Sequence, residues 1–90
     1  MRFEWDPKKA ASNLKKHGLT FQEAATVFGD PLAITFQDPD HSEDGNRQMT
    51  FGQSLQNRLV VVSHTNRQDR TRIISARLMG RKERVIYEEG

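Results

Sequence analysis

The stretch RTRIISARLMGRKER, residues 70–84, places Arg70, Arg72, Arg77, Arg81, Lys82 and Arg84 around the short apolar run IISA. Cations gathered on a strand and the segment after it suit phosphate, binding its oxygens and stabilising the negative charge that develops on phosphorus during transfer. Phosphoryl transfer on RNA needs little more: a base for the 2′-hydroxyl proton and an acid for the leaving 5′-oxygen. His64, Glu83 and Tyr87 lie within the same last 27 residues. His64 is the only histidine in this basic half and titrates near neutrality when unperturbed.

Whether His64 meets the arginines depends on the hairpin between RLVVVSHTN and RTRIISAR. An odd loop such as 66–70 sets His64 opposite Arg72, on a face with Val60, Val62, Ile74 and Ala76. An even loop such as 66–69 turns it toward Thr71, Ile73, Ser75 and Arg77. A bulge near Ala76 would bring Arg72 and Arg77 to one side. The sequence leaves the parity open.

Each functional reading has a structural competitor. His64 also suits a half-buried strand position, and Arg72 and Arg77 suit strand-edge charges that discourage aggregation. Arg67, Arg70, Arg81, Lys82 and Arg84 suit a solvated surface, and Tyr87 suits core packing. Lys9, Asn13 and Lys16 share one face of the first helix, which an exposed helix face explains equally well. Trp5 reads as core rather than as a platform for bases.

Other chemistries fit poorly. DPDHSEDGN, residues 38–46, alternates acids as a calcium loop does, but its sixth position is Glu43 rather than Gly and its twelfth is Met49 rather than Glu. His17, His41 and His64 are too far apart for a zinc motif, and no cysteine is present to supply a thiolate ligand or a disulfide. Adjacent Ser63 and His64 point to opposite faces of a strand, so they make no nucleophile and base pair. No metal and no cofactor is expected.

The elements that must position these residues follow from local signals. RFEW alternates as a short first strand. Asp6 as N-cap, Pro7 at the first helical position and Gly18 past the end predict a helix over 7–17. Thr20 and Glu23 have capping-box spacing, and Phe21, Ala24, Ala25 and Phe28 repeat at helical intervals, which predicts a second helix over 21–28. LAITFQD, RQMTFGQS, RLVVVSHTN and RTRIISARLM then read as successive antiparallel strands, and GRKERVIYEE as a short closing helix. The expectation is an α+β fold, with two N-terminal helices packed on an antiparallel β-sheet and a short C-terminal helix.

Ninety residues without a linker or composition break predict a single domain spanning 1–90. Net charge is only +2, but residues 58–84 hold eight of the 14 basic residues and two acids. That polarity favours a basic working surface. No apolar run approaches the roughly 18 residues of a membrane span, and the charged start lacks a signal-peptide core, so a cytoplasmic chain with no membrane contact is expected.

FEWDPKKAASNLKKHG, TFQEAATVFGDP, DHSED, RLVVVSHTNR, RTRIISAR and ERVIYEE together resemble the BrnT toxin family, from Phe3 to Glu89. NRQDR lacks the glycine common in that turn, and Gly80 stands where related chains often carry Ala or Thr. The resemblance implies a RelE-like fold and an endoribonuclease that stops translation. It also implies a BrnA-like antitoxin, in a heterotetramer, through which alone the complex contacts operator DNA. The candidate catalytic residues are then His64, Arg72 and Arg77, and the candidate RNA contacts Arg67, Arg70 and Tyr87. Relatives of this fold also use arginine, lysine or glutamate as the base.

Overall fold

Asp6, two residues past the first strand, starts the first helix. Its Oδ1 accepts a hydrogen bond from the N–H of Lys8 at 2.9 Å, and Pro7 fills the first helical position, where no N–H is needed. In the computed structural model, which describes residues 1–39 and 47–90, this gives β1 (Arg2–Glu4) and α1 (Pro7–His17). Gly18, at φ 69° in the left-handed region, closes α1 by donating its N–H to Leu14 O. Thr20 caps α2 (Phe21–Thr26), its Oγ1 accepting from Glu23 N at 3.0 Å. The expected extension to residue 28 tightens instead into a 3-10 turn, Val27–Gly29. Nor does Glu23 turn back to complete a capping box. It is buried, and its carboxylate accepts from Ser54 Oγ at 2.7 Å and from both Nε and Nη2 of Arg58. A carboxylate removed from water requires such partners.

The chain continues through β2 (Ile34–Gln37), β3 (Arg47–Gln53), β4 (Leu59–Arg67) and β5 (Arg70–Leu78) to α3 (Arg81–Glu89). Residues 40–46, which include most of the acidic stretch weighed as a calcium loop, lie outside the described residues. The sheet order is β1-β5-β4-β3-β2. β2 to β5 pair antiparallel as expected, but β1 pairs parallel to β5, through Arg2↔Arg70, Phe3↔Thr71 and Glu4↔Arg72. The sheet is therefore mixed rather than antiparallel. Beyond Glu4 the ladder along β5 is continued by a side chain. Asn13 of α1 donates from Nδ2 to Ala76 O at 2.9 Å and accepts the Ala76 N–H at 3.0 Å, while Nδ2 also reaches Leu19 O at 3.1 Å. Asn13 is thus a buried edge clamp rather than part of an exposed polar helix face.

The β4–β5 loop is even and short, just Gln68 and Asp69 between the pair Arg67↔Arg70. Register then runs to His64↔Ile73, breaks, and resumes at Ser63↔Ser75, leaving Ile74 as an extra residue on β5. Thr71, Ile73 and Ala76 consequently all face α1 and α2, and all three are buried. Arg72, opposite Thr65, and Arg77, opposite Val61, both face the other way.

Two apolar clusters sandwich the sheet. Leu19, Phe21, Ala24 and Val27 pack on Val60, Val62, Ile73 and Ala76, with Trp5, Phe3 and Phe28 at the margin. On the opposite face Phe51, Val61 and Met79 lie under α3 with Met49 and Leu59, and Tyr87 of α3 packs on them. α3 has no buried residue and is held largely by polar contacts: Arg77 to Glu83, and Tyr87 to Asp30.

His64 belongs to the first cluster. It is 3% exposed, its ring meets Phe28 edge-on at 4.9 Å, and Nε2 shares a 2.7 Å hydrogen bond with Thr50 Oγ1, which in turn pairs with Thr35 at 2.8 Å. Nδ1 is buried without a partner. Burial pushes its pKa down to about 4, so the ring stays neutral through the range in which an exposed histidine gains its proton. A sealed, neutral ring on the helical face is not available to a substrate on the arginine face.

Two measurements test these packing assignments. Asn13→Ala leaves the Ala76 N–H and C=O unpaired at a buried edge, and should cost about 2–4 kcal/mol in urea unfolding; an unchanged midpoint would show that water replaces the amide. Because unfolded His64 titrates near 6.5 and the folded ring only near 4, its contribution is fully present above pH 6.5 and declines as pH falls toward 4. Between pH 7 and 5, above the ordinary carboxylate range, this single group should remove about 2 kcal/mol. His64→Leu should flatten that part of the stability curve; a curve as steep as the wild type would refute the assignment.

Candidate active site

α3 covers only part of its face of the sheet. Its anchor residues sit over Val61 and Phe51, and the neighbouring rows toward the β4–β5 turn stay open. One open row crosses four strands: Arg47 of β3 lies opposite Thr65 of β4, Thr65 opposite Arg72 of β5, and Arg72 beside Glu4 of β1. The antiparallel register makes them neighbours although they are far apart in sequence. Lys9, from the first turns of α1, closes one side.

The result is a depression of about 300 Å³ lined by Lys9, Arg47, Thr65, Asn66, Arg67, Arg72 and Ile74. Four of the seven are cations and none is an acid. Arg72 is a third exposed and donates from Nη1 to Glu4 Oε2 at 3.2 Å, while Arg70 reaches Glu4 Oε1 at 3.3 Å from just outside. Hydrogen bonds from Arg70 and then Arg72 hold the Glu4 carboxyl below its ordinary range, so it stays ionised and fixes both guanidinium groups. Arg47 is different. Its Nε is shielded from solvent and has no partner, and no ion pair engages it among the described residues. The Arg47 guanidinium thus lines the depression with no carboxylate engaging it among the described residues, which suits an anion.

The candidate residues therefore separate. Arg67 and Arg72 line the depression, and Arg70 borders it through Glu4. Arg77 does not join them: its guanidinium grips Glu83 through Nη1 at 2.7 Å and Nη2 at 2.6 Å, and Glu83 also accepts the Gly80 N–H at 2.7 Å. The pair shifts both partners toward charge, Arg77 up and Glu83 down, each chiefly through this hydrogen bonding. Arg77 thus ties the start of α3 to β5. Tyr87 donates its hydroxyl to Asp30 Oδ2 at 2.6 Å, which pushes its pKa up to about 12; Asp30 also accepts the N–H groups of Gln53 and Leu32. It fastens the other end of α3, away from the depression. His64 is behind the sheet.

Sequence reasoning passed over Arg47 altogether and saw Lys9 only as part of a helix face. A signal for Arg47 was available: it opens RQMTFGQS, and a tight turn between that strand and RLVVVSHTN sets it opposite Thr65. Lys9 has no comparable signal, because its place depends on how α1 lies along β5.

The family model described as the ribonuclease toxin BrnT of type II toxin–antitoxin systems matches residues 5–83. The chain is also similar in structure to the Brucella abortus ribonuclease toxin BrnT, solved by crystallography at 1.1 Å, with a TM-score of 0.71 and 23% sequence identity over 90% of this chain and 99% of that one. That likeness establishes a shared α+β fold. No curated protein sequence matches the chain. The match over residues 5–83 spans nearly the whole sequence, and the chain belongs to the BrnT family of ribonuclease toxins of type II toxin–antitoxin systems.

Proposed function

We propose that the chain cleaves RNA without a metal, in the depression of Lys9, Arg47, Arg67 and Arg72, and thereby stops translation. The observation that carries this reading is the Arg47 guanidinium, engaged by no carboxylate among the described residues, in the same cross-strand row as Arg72. A phosphodiester seated there meets guanidinium groups from two strands, so its orientation is set by the sheet rather than by a loop. As the 2′-oxygen attacks phosphorus and the 5′-oxygen departs, charge grows on the non-bridging oxygens, where Arg47 and Arg72 strengthen their hold. The positive field also favours the 2′-oxyanion, which eases loss of its proton to solvent, and the departing 5′-oxygen takes a proton back from solvent. Among the described residues the lining carries four cations and no carboxylate, with Glu4 at the margin already engaged by Arg70 and Arg72, a charge balance that disfavours a divalent ion and supports metal independence.

The partner in this reading is a BrnA-like antitoxin whose acidic side chains cover the open basic row; the complex is a heterotetramer in the cytoplasm that meets operator DNA only through the antitoxin. The fold is read as RelE-like on the same basis. One observation favours a second reading, a binding module that holds RNA or an acidic protein without cutting: among the described residues no imidazole or carboxylate lines the depression.

Incubating the purified chain with labelled RNA, with and without EDTA, separates the two. Cleavage that survives EDTA is expected, and binding without cleavage would favour the module. Arg47→Ala and Arg72→Ala should each lower the cleavage rate about a hundredfold while keeping the unfolding midpoint within the range of a surface change. His64 is not expected to contribute to the rate. Full activity in both arginine variants would overturn the site.

A further inference from the structure

A second depression of about 190 Å³ lies beside the first, lined by Lys9, Ser12, Asn13, Lys16, His17, Ile74 and Ser75. The two share Lys9 and Ile74, so they adjoin, and together they lead from the open sheet face along the seam between α1 and β5. Lys9 and Lys16 are seven residues apart on one helix face, about 10 Å along the axis. Among the described residues, neither they nor His17 is paired with a carboxylate. The seam itself is rigid where it matters, because Asn13 pins α1 to Ala76.

We propose that this seam is a second phosphate subsite, in which Lys16 and His17 hold the backbone of a single-stranded RNA whose scissile phosphate sits among Arg47, Arg67 and Arg72. The proposal rests on the reading of the first depression as the RNA site and extends it by at least one nucleotide. A furrow bounded by one helix and one strand can follow one phosphate chain, whereas a duplex presents two backbones across a groove. A single strand also bends readily from the sheet face onto the helix. The lysines that would not take part are equally identifiable: Lys8 and Lys15 repeat the same seven-residue spacing one position earlier, a third of a turn around α1, and line neither depression.

The test is binding, so it does not depend on turnover. A fluorescent single-stranded RNA of about ten nucleotides, with 2′-O-methyl sugars that block attack by the 2′-oxygen, is titrated with wild type, Lys16→Glu and Lys15→Glu, and with His17→Gln. Lys16→Glu should weaken binding about tenfold and lower the slope of log affinity against log salt by about 0.7, the value for one lost single-strand phosphate contact. His17→Gln should weaken binding in the same direction. Lys15→Glu, with the identical change in net charge, should stay within about twofold of wild type. Equal weakening by Lys15→Glu and Lys16→Glu, or none by either lysine variant, would overturn the subsite. Wild type that binds this RNA through Lys16 but never cuts the unmodified form would uphold the subsite and sink the catalytic reading instead. Wild type that binds a duplex of the same RNA, titrated alongside, more tightly than the single strand, or that binds no RNA at all, would also remove the subsite.

Discussion

Between Ser63 and His64 the β4–β5 ladder skips Ile74, and that one unpaired residue governs what each side of the sheet carries. In a regular strand, side chains five positions apart point to opposite faces. Arg72 and Arg77 would then be split, with one of them driven in among Phe21, Val62 and Ile73. The bulge restores the parity. It lets β5 send Thr71, Ile73 and Ala76 to the helices while all three of its arginines stay on the far side, and it places Ile74 at the strand margin beside α1. Burying an arginine would cost several kcal/mol, far more than the backbone pairing lost at one bulge, so the register is strongly determined.

With the faces assigned, the two halves of the far side are specialised by what covers them. Under α3 the sheet carries Phe51, Val61 and Met79, and α3 is fastened at both ends by polar clamps. Arg77 serves that fastening, which is why its two Nη groups are both occupied. Past the helix the sheet changes character within one strand: β4 passes from Val61 through Ser63 to Thr65, and β3 from Phe51 through Met49 to Arg47. Residues of one type thus do unlike work. Arg77 and Arg58 are structural cations satisfied by Glu83 and Glu23, whereas among the described residues no carboxylate engages Arg47.

How much of this was legible in the sequence depended on how far each signal reached along the chain. The bounds of α1 were readable because Asp6, Pro7 and Gly18 act on their own neighbours. The strands were readable from composition, whereas the second helix stops at Thr26, short of the expected residue 28. The faces were not, because Ile74 has no feature that marks it as the bulged residue, and because NRQDR turns through Gln68 at φ 53° where a glycine would have announced the turn type. His64 was judged by its chemistry when its position was the better guide: it continues the alternation of Val60 and Val62, two fully buried residues, into the same core. The direction of β1 and the value of Lys9 came from packing between distant segments, which local patterns do not carry.

Glu4 gives the open face a property that a bare cluster of cations would lack. An arriving anion does not find Arg72 free; it must share a guanidinium that already donates to an ionised carboxylate, and any gain is the difference between two ion pairs. A small solitary anion, able to touch one arginine at a time, gains little from that exchange. A polymer engages Arg47, Lys9 and Arg67 together and makes up the deficit through its other contacts. On the proposed reading of this depression as the RNA site, the acid at the margin sets a threshold at Arg72 that favours a chain of phosphates over a single one.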